Sequence, residues 1–437
     1  MNEKLRDAII EEFKSKFPPK EFIPGESSVP ISGKIFDEKE MMSMIEAVMD
    51  GWWTEGRFSD LLEQRLSAWI GVKYAALTNS GSSANLLAFS ALTSVRLGEK
   101  RLKAGDEVIS VAAGFPTTVN PIIQHGCIPV FVDVDLGSYN ANIEQIEKAI
   151  TSKTRAIFLA HTLGNPYHLD RIRELCDEHN LWFIEDNCDA LGSTFRGKKT
   201  GTFGHIATCS FYPAHHITMG EGGAVFTSNP LLHRIVKSIR DWGRDCWCKT
   251  GKDNTCGKRF CWKLGNLPEG YDHKYIYSEV GYNLKATDIQ AALGLAQLEK
   301  LDDFVSKRKR NFEILYNGLS KFENYFVLPV WLPEADPSWF GFLLTVRDDA
   351  PFRRADIVGF LNEKKIGTRY LFAGNIVKQP YFVDRAIPHR VVDTLINTDI
   401  VMLNTFWIGV YPGLKNDMLE YVMKCFDEFL QSYCTSF

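Results

Sequence analysis

Between Ser210 and Val225 the chain reads SFYPAHHITMGEGGAV. Small and polar residues surround two adjacent histidines, His215 and His216, and no lysine lies between Lys199 and Lys237. A lysine amine can form an imine with a carbonyl and can also shuttle protons. A histidine forms no stable imine but can still move a proton, with an ordinary pKa near ~6.5. Three other stretches carry residues of chemical use. In TNSGSSANLLAFSAL, 78–92, a strand pattern gives way to a helix pattern at Gly81 and Ser82. Backbone N–H groups at such a helix start suit a phosphate, although a plain serine-capped turn reads the same way. In FIEDNCDALGS, 183–193, an apolar run ends at Glu185-Asp186. A buried aspartate there needs a cation or donor opposite it, which nearby backbone can also supply. In GFPTTVNPI, 114–122, Phe115 follows a strand pattern and can lie against a flat ring or simply join the core.

The elements that must position these residues follow from the apolar runs. Candidate strands are Tyr74–Thr78, Glu107–Val111, Ile128–Asp133, Ala156–Ala160, Leu181–Glu185, Thr208–Tyr212 and Ala224–Thr227. Helix patterns fall between them at Ser83–Leu97, Ile143–Ala149 and Leu169–His179. Such alternation predicts an α/β fold with a mostly parallel sheet covered by helices on both faces. Sites in these sheets lie beyond the carboxyl ends of the strands. The chain is predicted to divide into a helical arm (1–37), a large domain (38–300) and a smaller C-terminal α+β domain (301–437). A long helix is predicted over Thr287–Leu319 and a final one over Lys415–Ser432. The segment 241–275 has no usable period and is rich in Cys, Gly, Lys and Trp, so it reads as a long functional loop.

Composition sets outer limits. The chain has 437 residues, 45% hydrophobic and 24% charged, with a net charge of -4. That charge gives no case for nucleic acid binding. No apolar run reaches membrane-spanning length, and the N-terminus is a charged amphipathic pattern rather than a leader, so a cytosolic location is expected. In a reducing compartment ten cysteines suggest metal or catalysis more than disulfides. Cys246, Cys248, Cys256 and Cys261 crowd one stretch, while Cys127, Cys176, Cys209, Cys425 and Cys434 read as ordinary buried or terminal residues. Cys-x-Cys is tighter than the usual zinc pair and is not a ferredoxin spacing. The residues alone support a soft metal held by thiolates, with structural zinc as the competing reading.

The order of phosphate loop, aromatic, strand-end aspartate and SFYP segment resembles fold-type I pyridoxal phosphate enzymes. Ser210 to Gly223 is similar to the Ser-Phe-x-Pro-x-Lys-x-x-x-x-Gly-Glu-Gly-Gly segment of their sugar-nucleotide aminotransferase branch, with His215 in place of the lysine. GYNLKATDIQAALGLAQLEKL, 281–301, is also typical of that branch. The resemblance implies a large, mostly parallel sheet domain plus a smaller α+β domain. It implies that Gly81, Ser82 and Ser210 hold the phosphate, Phe115 stacks on the ring and Asp186 faces the pyridine nitrogen. Asn283 would reach the phosphate of the other subunit, making a homodimer necessary. A base without an amine suits pyridoxamine phosphate, which forms a ketimine with a keto sugar, so dehydration is favoured over transamination. His216 is assigned no role.

Cys188, Cys246, Cys248 and Cys256, spaced Cys-x57-Cys-x-Cys-x7-Cys, resemble the iron–sulfur subtype of this branch, the CDP-6-deoxy-L-threo-D-glycero-4-hexulose 3-dehydrases. That likeness implies one [2Fe–2S] cluster held by these four thiolates, with Cys261 as the competing fourth ligand. It implies removal of the C3 hydroxyl from a CDP-4-keto-6-deoxy-hexose in 3,6-dideoxysugar (ascarylose-type, O-antigen) biosynthesis. His215 would take the C4′ proton. Electrons would come from an NADH-dependent flavin/iron–sulfur reductase, since the chain shows no G-x-G-x-x-G, and loop 244–263 is a candidate docking surface for it. Cys188 lies two residues past Asp186, which in an extended segment places both on one side. Trp52, Trp53, Arg57 and Arg369 are candidates for the nucleotide or packing. Two rivals stay open: an iron-free dehydratase that renews its amine from glutamate, and a non-catalytic sensor with structural zinc.

Overall fold

The computed structural model describes residues 2–248 and 250–434, and the side chain of Cys434 lies outside what it describes. Seven apolar runs become the strands that carry the site: β1 (Tyr74–Thr78), β2 (Glu107–Val111), β3 (Ile128–Val132), β4 (Thr154–Ala160), β5 (Trp182–Asp186), β6 (Ile206–Ser210) and β7 (Gly223–Thr227). With a short strand at Arg390–Val391 they form one sheet in the order β1-β7-β6-β5-β4-β2-β3-(390–391). β7 is antiparallel to both neighbours and every other pair is parallel.

Helices on both faces explain why these strands are apolar throughout rather than alternating. On β4, Ile157 and Leu159 join a core with Leu169, Ile172 and Leu175 of helix Leu169–Glu178. Ala156 and Phe158 point the other way, toward Leu87 of helix Gly81–Ala91 and Ile235 of helix Pro230–Arg240. A second, antiparallel sheet is built from Phe326–Val327, Gly341–Val346, Thr405–Gly409 and Thr368–Tyr370. Phe342, Leu344 and Phe406 of that sheet pack with Leu315 and Phe426 from helices Leu301–Leu319 and Asn416–Cys434.

The expected long helix is two: Asp288–Leu298 and Leu301–Leu319. Thr287 caps the first through a capping box with Gln290. The break at Glu299-Lys300 leaves Lys300 bound to buried Glu40 at 2.6 Å and to Asp37 at 2.9 Å. The expected helix Ser83–Leu97 ends at Ala91 and resumes as a 3-10 turn, Val95–Lys100. Helix Glu3–Lys16 buries no residue. Segment 241–275 is irregular as read: its only helical turn among the described residues is His273–Tyr275. No helix among the described residues is long and apolar enough to cross a membrane.

Candidate active site at the carboxyl edge of the sheet

One edge of the sheet gathers the chain after β1, β2, β5 and β6. Thr78 and Ser210 both pair with Gly223, and Asp186 ends β5 beside Thr208. Past β1, Ser80 caps helix Gly81–Ala91 by accepting the Ser83 N–H at 3.0 Å. A Cβ at Gly81 would fall 2.3 Å from Ser210 Cβ, so glycine is required by the approach of β6. Gly81 and Ser210 are thus brought together, with Ser82 exposed at the helix start. Phe115 precedes helix Pro116–Gln124 and is 51% exposed, touching Phe372 edge-on.

Strand alternation separates the two acids at the end of β5. Glu185 faces backbone: it accepts N–H groups of Gly201, Phe203 and Gly204. Asp186 is 4% exposed and accepts from Asn85 Nδ2 (2.8 Å) and Thr118 Oγ1 (2.7 Å) on one oxygen. The Cys188 N–H, at 3.1 Å, donates to the other oxygen. None of these donors carries charge, and among the described residues no ion pair involves Asp186. A buried carboxylate so placed fits a protonated ring nitrogen. Asn85 is itself fixed by Thr208, which donates to its carbonyl at 2.6 Å.

His215 Nδ1 lies 3.4 Å from Asp189 Oδ1, and its ring is 5.2 Å from that of Phe340. Its backbone carbonyl accepts from buried Arg308. His216 is buried, with Nε2 2.9 Å from the Ser338 carbonyl, and burial pushes its pKa well below the ordinary value. It is a packed neutral residue. Asn85, Thr118 and Asp189 were missed from sequence. Asn85 stands one helical turn past Gly81, and Asp189 three residues past Asp186, so both were within quoted stretches.

The expected extended segment after Asp186 is not present: Cys188 begins a turn closed on the Asp186 carboxylate. The four thiols are not gathered either. Cys246, Cys248 and Cys256 share a crevice in the loop together with His273. Burial opposes ionisation of Cys248. Hydrogen bonds from Thr255, the Cys256 backbone and the thiols of Cys246 and Cys256 outweigh it and bring the pKa to about 7. Cys188 is instead half-buried beside Asp186, and Cys261 is exposed. Among the described residues no group of three or more His, Cys, Asp or Glu is arranged to hold a metal. One chain therefore does not fit the expected four-thiolate cluster.

Asn283 is exposed and bridges Asp241 at the foot of the loop. Trp52 and Arg57 line a cleft of about 780 Å³ together with Cys246 and Cys248, and no residue of the Asp186–His215 group lines it. Arg57 is already paired with Asp50 at 2.5 Å. Trp53 donates to the Val48 carbonyl, and Arg369 to its neighbour Thr368.

Residues 35–427 match the family model described as the DegT/DnrJ/EryC1/StrS aminotransferase family. The chain belongs to that family. Over 429 residues it is 56% identical to "Lipopolysaccharide biosynthesis protein RfbH" of Salmonella typhimurium, covering 98% of each. It is 54% identical over 409 residues to "dTDP-4-dehydro-2,6-dideoxy-D-glucose 3-dehydratase" of Saccharopolyspora spinosa, covering 94% of this chain and 88% of that one. Among solved structures it superposes on GDP-4-keto-6-deoxymannose-3-dehydratase with a trapped PLP-glutamate geminal diamine. There the TM-score is 0.80 at 29% identity, covering 91% of this chain and 99% of the other. The fold is that of the fold-type I pyridoxal phosphate enzymes, and the Gly81–Ser210 cradle with buried Asp186 suits that cofactor.

Proposed function

We propose that this member of the family is a sugar-nucleotide 3-dehydratase that uses pyridoxamine phosphate. The observation that supports the proposal is His215 in the lysine position, 3.4 Å from Asp189, in a chain that packs Gly81 against Ser210 and bonds buried Asp186 to Asn85 of the same helix. Bound as its amine, the cofactor supplies a primary amine for a sugar ketone and a ring that can take up electrons. Gly81, Ser82 and Ser210 bind the phosphate, Phe115 covers the ring, and Asp186 holds the pyridine N–H. Asp189 Oδ1 lies 3.4 Å from His215 Nδ1 with no hydrogen bond made there, and Nε2 is the nitrogen that would accept a proton from C4′ of the cofactor. No lysine takes part, so transamination through a protein-held imine is not available. Asn283, exposed at the loop foot, serves the phosphate of a second subunit in a homodimer.

The relatives named 3-dehydratases, one of them captured with glutamate, support an iron-free enzyme that renews its amine from glutamate. A second reading is favoured by the gathering of Cys246, Cys248 and Cys256. It retains a [2Fe–2S] group, a partner reductase and a CDP-4-keto-6-deoxy-hexose. Incubating the pyridoxamine phosphate-loaded protein with CDP-, dTDP- and GDP-4-keto-6-deoxy-hexoses, with and without glutamate, tests the proposal by product mass. Loss of the C3 oxygen supports it, and a 4-amino sugar as sole product refutes it. Turnover sustained by glutamate selects the iron-free reading.

A further inference from the structure

The cleft of about 780 Å³ opens between the start of helix Arg57–Ile70, helix Pro230–Arg240 and the loop that follows it. None of Gly81, Asp186, Ser210 or His215 lines it. Its volume is that of a small-molecule site, roughly 300–1,000 Å³. Its floor is a closed set of ion pairs. Buried Arg240 binds Glu55, Glu63 and Asp241, and Lys237 binds Glu55 at 2.9 Å and Glu63 at 3.5 Å. Burial opposes ionisation of Glu55, but Arg240 and Lys237 outweigh it and hold its carboxyl well below the usual range. Asp245 is paired with Arg96, and Asp60 lies at the exposed rim.

Three lining cations are left over. Among the described residues no ion pair involves Arg234, Arg244 or Lys252, whereas Arg57 is held by Asp50. Arg244 carries a sharper sign: its Nε is buried, and no acceptor among the described residues reaches it. A buried donor is costly to leave unbonded, so it marks a place where an acceptor comes from outside the chain. In a chain of net charge -4 this local excess of cations is not a by-product of composition. Two flat apolar faces stand beside it, with Trp52 44% and Trp247 49% exposed. The Trp52 N–H donates to the Glu55 carbonyl at 2.9 Å, and Gly251 lies under the ring, where a Cβ would come within 2.7 Å. Trp247 meets Trp262 edge-on at 5.8 Å, and the Arg234 guanidinium is 5.5 Å from its ring centroid. Held indoles beside uncompensated guanidiniums suit a ligand with a planar ring and a multiply charged phosphate.

The geometry points to a second ligand site in this cleft, for a nucleoside diphosphate: Arg234, Arg244 and Lys252 take the phosphates, and Trp52 or Trp247 takes the base. Within one chain the site is separate from the cofactor cradle. The same chemistry comes from two sources, a free nucleotide or the nucleotide half of a sugar nucleotide.

Calorimetry on the full-length protein loaded with pyridoxamine phosphate tests it, with CDP, dTDP and GDP as probes and inorganic pyrophosphate as the control without a ring. Saturable binding of at least one nucleotide, tighter than pyrophosphate, is expected. Arg234→Gln/Lys252→Gln changes two exposed positions, so it should keep the wild-type melting temperature and weaken the nucleotide about 10-fold or more. No saturable binding of any nucleotide, or wild-type affinity in both Arg234→Gln/Lys252→Gln and Arg244→Gln, overturns the proposal. So does pyrophosphate binding as tightly as every nucleotide, since the indoles would then play no part. Competition identifies the source, using a sugar nucleotide without the C4 ketone so that nothing reacts. Displacement of the bound probe supports a site for the substrate's nucleotide half, and simultaneous binding of both supports a site for a free nucleotide. None of these readouts needs turnover, so a failure to dehydrate any keto sugar would remove the function proposed above and leave this test intact.

Discussion

Replacing Asp186 with asparagine separates cofactor binding from folding. The Asp186 carboxylate accepts three neutral hydrogen bonds, from Asn85, Thr118 and the Cys188 N–H, and none from a charged group. The ring nitrogen of the cofactor would be its only cationic partner. A hydrogen bond to a charged group contributes about 1.5–3 kcal/mol. At 1.4 kcal/mol per tenfold, Asp186→Asn should weaken pyridoxamine phosphate about 10- to 150-fold. The apoprotein should change little. The amide keeps one acceptor oxygen, and turning its NH2 toward existing donors costs about one hydrogen bond, roughly 1 kcal/mol. In a chain of this size that lowers the melting temperature by about 2 °C or less. Titration of apoprotein with pyridoxamine phosphate by tryptophan fluorescence, beside a thermal melt, measures both. An affinity within twofold of wild type in a normally folded variant would refute the assignment of Asp186.

Three further outcomes are expected. Gly81→Ala forces a methyl against Ser210, costs about 1–3 kcal/mol of stability and weakens phosphate-bearing cofactors; equal melting temperature and equal affinity would contradict the cradle. His215→Lys should lose dehydration and gain a borohydride-reducible imine with pyridoxal phosphate, read by intact mass; normal dehydration in this variant would show the base to be elsewhere. Burial, aided by Arg173 and Lys100, lowers His205 to about 4. Burial, aided by Lys237 and Arg240, does the same for His233, and His216 is also depressed. For His205 and His233 the unfolded pKa is about 6.5, so their contribution is complete above that pH and is lost as pH falls toward about 4. Stability should drop by about 1.4 kcal/mol per pH unit for each group across that window, and urea midpoints that stay constant from pH 7 to 5 would contradict this.

Much of the site was legible because its residues sit where one pattern stops and another begins. β1 and β2 have the expected ends, since apolar runs there stop at turn residues. The strand expected over Thr208–Tyr212 is shifted to Ile206–Ser210, because Phe211 is buried beyond the sheet and reads as strand. The antiparallel placement of β7 leaves no mark in a short apolar run, and nothing in KATDIQAALGLAQLEKLDDF marks a helix break, which depends on Glu40 far away in sequence. Asp189 was hidden because its partner His215 is distant in the chain and only the sheet brings them together. The cysteines show the same limit from the other side. The resemblance grouped four, whereas the structure lines one crevice with Cys246, Cys248 and Cys256 and leaves Cys188 beside Asp186.

The central claim is that His215 moves the proton at C4′ of the cofactor. Protein loaded with pyridoxamine phosphate carrying two deuteriums at C4′ tests it most directly, by following their loss to solvent once a 4-keto-6-deoxy sugar nucleotide is added. Wild type should lose one of the two at a rate no slower than release of the C3 hydroxyl, while His215→Asn should bind the cofactor and retain both. Deuterium loss at the wild-type rate in His215→Asn, or hydroxyl release from wild type with both deuteriums kept, would contradict the account.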